Sequence, residues 1–104
     1  MLDMLGNYDS RKVARTEEDG MFVSTARVTD GRYTYETAVA DPHYNDGDII
    51  ILYATDSYEE AVANHSKAIN LLRSNPEVLI DCQNSWISNM VSEADLTFYR
   101  KENE

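Results

Sequence analysis

The sequence predicts an α+β domain in which an antiparallel sheet of about four strands packs against one main helix, with an irregular C-terminal segment. Two observations lead to this class. Segments of alternating apolar and polar residues flank an Asp-Gly pair at residues 30 and 31, as in a β-hairpin. A later stretch, from residue 57 to residue 74, carries apolar residues at helical spacing. Because this single helix must cover one face of the strands, we expect a two-layer domain.

The order of these segments predicts how the chain is organised. Residues 1–16 are expected to form an N-terminal arm or edge strand, residues 17–81 the α+β core, and residues 82–104 a C-terminal extension that packs on the core. A chain of 104 residues with 42% hydrophobic content is long enough to bury one core. No internal repeat or low-complexity tract divides it further.

The first expected element is a short strand at residues 10–16. Its alternation is weak, and the positive charges of Arg11, Lys12 and Arg15 suit a sheet edge or an extended arm. We expect these three side chains to contact an adjacent subunit. Residues 17–20 have turn chemistry, in which Gly20 supplies a positive φ.

The central hairpin is predicted from residues 21–28 and 33–40. Each segment alternates between two faces, and in the second segment Tyr33, Tyr35, Thr37 and Val39 share one of them. Residues 29–32 contain the Asp-Gly pair that tight hairpins favour. The pattern therefore predicts two antiparallel strands joined by a short turn.

The next strand and the main helix follow a loop. Pro42 and the following Asn-Asp-Gly run make residues 41–48 a loop, and residues 49–54 are apolar throughout, which predicts a central strand buried on both faces. Ser57 and Glu60 match a capping box, so the helix should begin there and end near Ser74. Its predicted apolar stripe consists of Ala61, Val62, His65, Ala68, Ile69 and Leu72.

The C-terminal third has weaker patterns. Residues 78–80 read as a further strand or extended segment, and residues 84–91 as a short helix or a loop. Residues 94–99 alternate in a way that is consistent with a last extended piece.

The net charge argues against nucleic-acid binding, and the lack of a long apolar run argues against a membrane span. Nine basic and nineteen acidic side chains give a net charge of -10, the wrong sign for phosphate attraction. No apolar run approaches the roughly 18 residues of a membrane span, and the first residues lack the basic and apolar regions of a secretory signal. A single cysteine, Cys82, fits a reducing compartment.

No catalytic or metal site is predicted. Ser24, Thr25, Glu36 and His65 supply the residue types of a hydrolytic triad, but no Gly-x-Ser-x-Gly elbow accompanies them. The acidic loop at residues 41–48 lacks the spacing of an EF-hand. Neither a phosphate loop nor a dinucleotide fingerprint is present, so we expect no cofactor.

His65 has two interpretations. Helical spacing directs it toward the sheet, where it is either a ligand or pH-sensitive group, or an imidazole bonded to strand backbone or a tyrosine hydroxyl. The second interpretation is favoured. His43 lies in a turn and is expected to be solvated.

An acidic, tyrosine-rich surface is the main functional hypothesis. The chain has seven tyrosines, and seven carboxylates but no Lys or Arg lie between Tyr33 and Ser66. Tyrosine is enriched in protein interfaces, and an acidic face suits a basic protein partner. The alternative is that two or three of the tyrosines cap the edge of the core. The predicted interface residues are Tyr33, Tyr35, Glu36, Tyr44, Asp46, Asp48, Tyr58 and Glu59.

Three motifs carry a family resemblance. Val-Ser-Thr at residues 23–25, Tyr-Glu-Thr at residues 35–37 and Glu-Glu-Ala at residues 59–61 with His65 form a "VST", "[YF]ET" and "EEAxxxH" pattern. The chain resembles, over residues 22–72, a group of small uncharacterised tailed-bacteriophage and prophage proteins. These commonly have Gly before the His, where this chain has Asn64. The resemblance implies a viral gene product and brings no catalytic activity with it.

Two functions follow as expectations. The first is a non-enzymatic phage protein, a small virion structural or assembly component that binds neighbouring subunits. The second is an acidic phage effector that binds and inhibits a host defence or nucleic-acid-handling protein. In either case the partner is a protein, and assembly as a homo-oligomer is a further option. The resemblance implies the virion or the host cytoplasm as the location.

Overall fold

The computed structural model describes residues 11–29, 31–84 and 96–101. Within them the chain forms β1 (Lys12–Glu18), β2 (Met21–Arg27), β3 (Tyr35–Ala40), β4 (Ile50–Thr55), α1 (Tyr58–Arg73), β5 (Val78–Ile80) and β6 (Thr97–Tyr99). A short 3₁₀ turn, Asn45–Gly47, lies between β3 and β4. Four strands form an antiparallel sheet in the order β1-β2-β3-β4, and β5 and β6 form a second, two-stranded sheet. With α1 packed on the larger sheet, the predicted α+β class is confirmed.

The hairpin between β1 and β2 has a tighter turn than predicted. Glu17 and Glu18 belong to β1, and Asp19 and Gly20 are the two connecting residues. Both have positive φ, at 51° and 82°, as a type I′ turn requires. β1 is an edge strand, as expected, and its register shifts at Val13, which forms a bulge.

The predicted hairpin of β2 and β3 is confirmed, with shorter strands. β2 ends at Arg27 and β3 begins at Tyr35, so the connection is longer than a tight turn. Val28 N–H donates to Thr34 O at 2.8 Å inside it. The pairing places Val23 opposite Val39 and Thr25 opposite Thr37, and all four side chains are buried beneath α1.

The prediction that the apolar strand is central is wrong, because β4 forms an edge of the four-stranded sheet. Ile50 and Leu52 are buried in the core, while Ile51 is only partly buried. The residues after β5 cover part of the free edge: Cys82 N–H donates to Ile51 O at 2.8 Å, and Ile51 N–H donates to Asp81 Oδ2 at 3.1 Å. The apolar residues of β4 are therefore explained by α1 on one face and by the segment that covers the free edge. They do not indicate a central position in the sheet.

The helix packs through small residues. Its buried positions are Ala61, His65, Ala68 and Leu72, which recur at helical spacing. Ala61 and Ala68 are 1% and 0% exposed, so the backbone of α1 lies close to the sheet. Val62 was expected in this stripe but is 45% exposed.

The C-terminal part of the described chain pairs with itself and with the loop before β4. The extended segments expected near residues 78–80 and 94–99 form β5 and β6. Lys101 N–H donates to His43 O at 2.7 Å, which joins the segment after β6 to that loop. The expectation for residues 84–91 lies outside the described residues except at residue 84.

Candidate functional site

The start of β3, the end of β4 and the start of α1 meet at one end of the sheet. Strand register places Tyr35 opposite Thr55, and Tyr58 follows three residues later as the first residue of α1. The rings of Tyr35 and Tyr58 pack edge-to-face, with centroids 6.0 Å apart and planes at 72°. Tyr33 and Tyr58 are 46% and 56% exposed. The fold thus brings three of the predicted interface tyrosines into one region.

The first turn of α1 is held by a set of hydrogen bonds that includes Thr55, and only part of the predicted capping box forms. Ser57 Oγ accepts from Glu60 N–H at 3.1 Å, as predicted. The Glu60 carboxylate does not return to the Ser57 amide. Instead it accepts from Thr55 Oγ1 at 2.5 Å, while Ser57 N–H donates to the same Thr55 hydroxyl at 3.1 Å. Thr55 therefore fixes Glu60 at the end of the sheet.

Asn84 fixes the beginning of β3 from the far end of the sequence. Its Oδ1 accepts from Tyr33 N–H at 2.7 Å, and its Nδ2 donates to Tyr33 O at 3.2 Å and to Glu36 Oε2 at 2.9 Å. Gly31 permits this approach, since a Cβ there would lie 2.2 Å from Asn84 Nδ2. Sequence reasoning missed Asn84, because a lone Asn carries no local signal for a contact 51 residues away.

Asp56 completes this region. Its Oδ1 accepts from Thr34 N–H at 2.8 Å and from Thr34 Oγ1 at 3.0 Å, which ties the β2–β3 connection to the β4–α1 connection. Asp56 was counted among the carboxylates of the acidic stretch but not among the predicted interface residues. The tyrosine–carboxylate patch, as the term is used below, consists of Tyr33, Tyr35, Glu36, Asp56, Tyr58 and Glu59.

Three other predicted interface residues lie elsewhere. Tyr44 is 2% exposed, and its hydroxyl donates to Pro76 O, so it is a core residue and its assignment to a surface was wrong. Burial raises the pKa of this phenol. Asp46 and Asp48 are exposed in the loop at the opposite end of β3. Since β3 spans six residues at about 3.3 Å each, roughly 17 Å separate this loop from the patch.

The predicted basic contact residues belong to β1 or immediately precede it. The Arg15 guanidinium carbon lies 5.1 Å from the Phe22 ring centroid, and its Nη2 is 2.7 Å from Glu17 Oε2. Arg11 Nη1 donates to Arg27 O at 3.3 Å. Lys12 is exposed at the start of the strand. These side chains therefore stand on an ordered sheet edge and not on an extended arm.

His65 lies inside the protein, as its helical position predicted, but with different partners. It is 7% exposed, its Nδ1 is 2.8 Å from Thr25 Oγ1, and its Nε2 is 3.0 Å from Thr16 Oγ1. Thr25 Oγ1 is in turn 3.0 Å from Thr37 Oγ1. The partners are strand hydroxyls, whereas strand backbone or a tyrosine hydroxyl was expected. Both ring nitrogens are engaged, and burial lowers the pKa of the imidazole.

His43 is more ordered than the solvated side chain that was expected. Its Nδ1 lies 3.0 Å from Asp41 Oδ1, which also accepts from the His43 backbone N–H at 2.8 Å. Its side chain is 36% exposed. The contact organises the loop between β3 and β4.

An open cleft of ≈ 520 Å³ lies beside β4 and α1, with Tyr53, Glu60, Lys67 and Cys82 among its lining residues. The Lys67 ammonium is 4.8 Å from the Tyr53 ring centroid, a cation–π contact. Partial burial, Asp81 and Glu36 raise the pKa of the Cys82 thiol to about 11. The thiol is therefore protonated at neutral pH and is a weak nucleophile.

Among residues 11–29, 31–84 and 96–101, no group of three or more His, Cys, Asp or Glu side chains is arranged to hold a metal ion. Nor does this described part of the chain contain a helix long and apolar enough to cross a membrane. Comparisons with protein-family models, with curated proteins and with solved structures found no match for the chain.

Proposed function

We propose that the chain is a non-enzymatic protein that acts by protein–protein contact through the tyrosine–carboxylate patch, as a small virion structural or assembly component of a tailed phage. The observation that carries the proposal is the patch itself, in which tyrosines and carboxylates from two separate segments, residues 33–36 and 56–59, meet at one end of the sheet. Tyr33, Asp56, Tyr58 and Glu59 are exposed, and Tyr35 and Glu36 are partly buried. Tyrosine contributes large contact area together with a polar tip, which is why it is enriched at protein interfaces.

The patch is preorganised for binding. Asn84 holds Tyr33 and Glu36, Thr34 holds Asp56, and the ring of Tyr35 rests against the ring of Tyr58. Side chains that are already ordered lose little conformational entropy on association. A rigid patch therefore favours a specific partner over loose electrostatic attraction.

The charge of the patch indicates the kind of partner. Glu36, Asp56 and Glu59 contribute carboxylates to it, and the whole chain carries a net charge of -10. Opposite charge steers encounter and excludes like-charged partners, so the partner surface is basic. The resemblance to tailed-phage proteins supports a viral gene product, and the partner that we propose for it is a neighbouring virion subunit. His65, with both ring nitrogens bonded to hydroxyls, and the protonated Cys82 thiol offer little to an enzymatic mechanism.

Quantitative mass spectrometry of purified particles tests the virion assignment. We expect the chain at a fixed, stoichiometric copy number in particles of the phage that encodes it. Absence from particles that assemble normally would refute the assignment.

Incorporation of variants tests the patch. Tyr58→Ala and Glu59→Lys should reduce the copy number in particles. Tyr99→Ala is the matched control, because Tyr99 is 70% exposed but lies on β6, outside the patch. Equal incorporation of Tyr58→Ala and Tyr99→Ala would show that the patch is not the binding surface.

A second candidate, an acidic effector that binds and inhibits a host protein, is favoured by the carboxylates around the start of α1. Asp56, Glu59 and Glu60 lie within five consecutive residues, and in this candidate function they would imitate phosphate groups. Binding that rests on such charges weakens steeply as salt rises, whereas contacts between virion subunits tolerate moderate salt. Affinity for one host protein that is unchanged by salt would argue against this candidate.

A further inference from the structure

The outer edge of β1 carries a cation and an anion at alternate positions of the strand. No strand in the described parts of the chain pairs with this edge. Exposed edges commonly carry charges and bulges that prevent association. The bulge here lies at Val13, which leaves the five residues from 14 to 18 as regular strand.

The turn after β1 determines which backbone groups point outward. In a two-residue type I′ hairpin, the residues that flank the turn exchange hydrogen bonds, so Glu18 bonds to Met21. The backbone N–H and C=O groups of successive residues point to opposite sides of a strand, so those of Thr16, like those of Glu18, point toward β2. The N–H and C=O groups of Arg15 and Glu17 point away from the sheet.

The same two residues carry opposite charges on the same face. Arg15 stacks on Phe22, and the 2.7 Å pair between Arg15 and Glu17 shows that both side chains share this outer face. Thr16, between them, faces α1 through its contact with His65. A cation and an anion thus occupy the only two outward-bonding positions of the regular part of β1.

We propose that two copies of this chain pair antiparallel through β1, about a two-fold axis at Thr16, to form a dimer with a continuous eight-stranded sheet. In this register Arg15 lies opposite Glu17 of the second copy, and Glu17 lies opposite Arg15 of the second copy. Each of these pairs exchanges both backbone hydrogen bonds and joins opposite charges across the strands.

The helices do not obstruct this arrangement. α1 packs mainly on β2 and β3, so the two helix axes would lie roughly 19 Å apart at a strand spacing of about 4.8 Å. Helices in contact are about 8–10 Å apart. Because the paired segment is short, we expect a weak dimer that forms with rising protein concentration and dissociates with rising salt.

Sedimentation across a concentration series at low salt tests the proposal. Wild type should approach twice the 11.8 kDa of one chain. Glu17→Arg should raise the dissociation constant by about tenfold or more, because two attractive cross-strand contacts become repulsive. The double variant Arg15→Glu/Glu17→Arg should restore dimerisation. Glu59→Arg changes the net charge equally but lies on α1, and it should remain dimeric.

A cysteine at the axis tests the register. At the axis, Thr16 of one copy lies opposite Thr16 of the other, and the two form a non-hydrogen-bonded pair. Their Cα atoms are then about 4.5 Å apart, a separation that a disulfide can bridge. In a Cys82→Ser background, Thr16→Cys should cross-link the two chains. Glu17→Cys should not, because Glu17 of one copy and Glu17 of the other are diagonal neighbours about 7–8 Å apart.

Three results would overturn the dimer: a monomer at every concentration, an undisturbed Glu17→Arg dimer, or no rescue in a folded double variant. None of these results bears on the tyrosine–carboxylate patch, which lies on other elements. The dimer and the proposed function can therefore fail independently.

Discussion

Removing the Thr25 hydroxyl tests whether the buried hydrogen-bond chain stabilises the fold. Thr25 is 0% exposed, and its hydroxyl lies 2.8 Å from His65 Nδ1 and 3.0 Å from Thr37 Oγ1. The chain continues through His65 Nε2 to Thr16 and so connects the helix with three strands. Thr25→Val preserves the β-branched shape of the side chain but removes both contacts of the hydroxyl.

The expected loss of stability follows from the buried polar groups that are left without a hydrogen-bond partner. A buried polar group without its partner costs about 1–3 kcal/mol, and both the His65 nitrogen and the Thr37 hydroxyl lose theirs. The methyl group that replaces the hydroxyl returns about 0.8 kcal/mol. We therefore expect Thr25→Val to lower the free energy of unfolding by about 2–4 kcal/mol. For a domain of this size, the midpoint of thermal unfolding should fall by about 8 °C or more.

Urea denaturation followed by far-UV circular dichroism, at a pH where the imidazole is neutral, measures this loss. Thr37→Val is the matched control: it is equally buried and loses the contact with Thr25 but leaves the contact between Thr25 and His65. Its cost should be about half as large. A Thr25→Val protein as stable as wild type would refute the claim that the hydroxyl chain stabilises the fold.

Three further predictions concern the helix cap, the faces of β4 and the pH dependence of stability. Ser57→Ala removes the acceptor of the first-turn amide and should cost about 1 kcal/mol in urea denaturation; an unchanged midpoint would show that the cap contributes nothing. Ile50→Ala, at a position 1% exposed, should cost about 2–5 kcal/mol, and Ile51→Ala, only partly buried, clearly less; equal losses would contradict the assignment of the two faces. Because burial lowers the pKa of His65 from 6.5, its contribution to stability is complete above that value and is lost as the pH falls through the lowered pKa. Denaturation between about pH 5 and 7 should show a shallower pH slope for His65→Gln than for wild type, and identical slopes would contradict the lowered pKa.

The sequence was sufficient to predict features that are fixed by neighbours along the chain. The β2–β3 hairpin, the start of α1 at Ser57 and the edge location of β1 depend on turn residues, alternation, a cap and a run of charges. Each of these signals acts within a few residues. The agreement is nevertheless partial, because the β2–β3 connection is longer than predicted and Glu60 bonds to Thr55 and not to the Ser57 amide.

The candidate site could be predicted only in part. Tyr44 and Tyr58 both follow polar or turn residues and look alike in sequence, yet one is 2% and the other 56% exposed. The difference arises because the Tyr44 hydroxyl donates to Pro76 O, in the segment before β5, and Tyr44 belongs to the same buried cluster as Leu79 of β5. Burial of this kind depends on which distant segment packs against a residue, and no local pattern records it.

By itself, then, the sequence determined the α+β class, the main hairpin, the helix and the acidic, tyrosine-rich composition of the chain. Only the tertiary structure decided that β4 is an edge, that His65 bonds to hydroxyls on two strands, and that Asn84 joins Tyr33 and Glu36. The physical reason is distance along the chain. Local backbone preferences act between near neighbours, whereas strand order, burial and the partners of polar side chains come from contacts between residues far apart in the sequence.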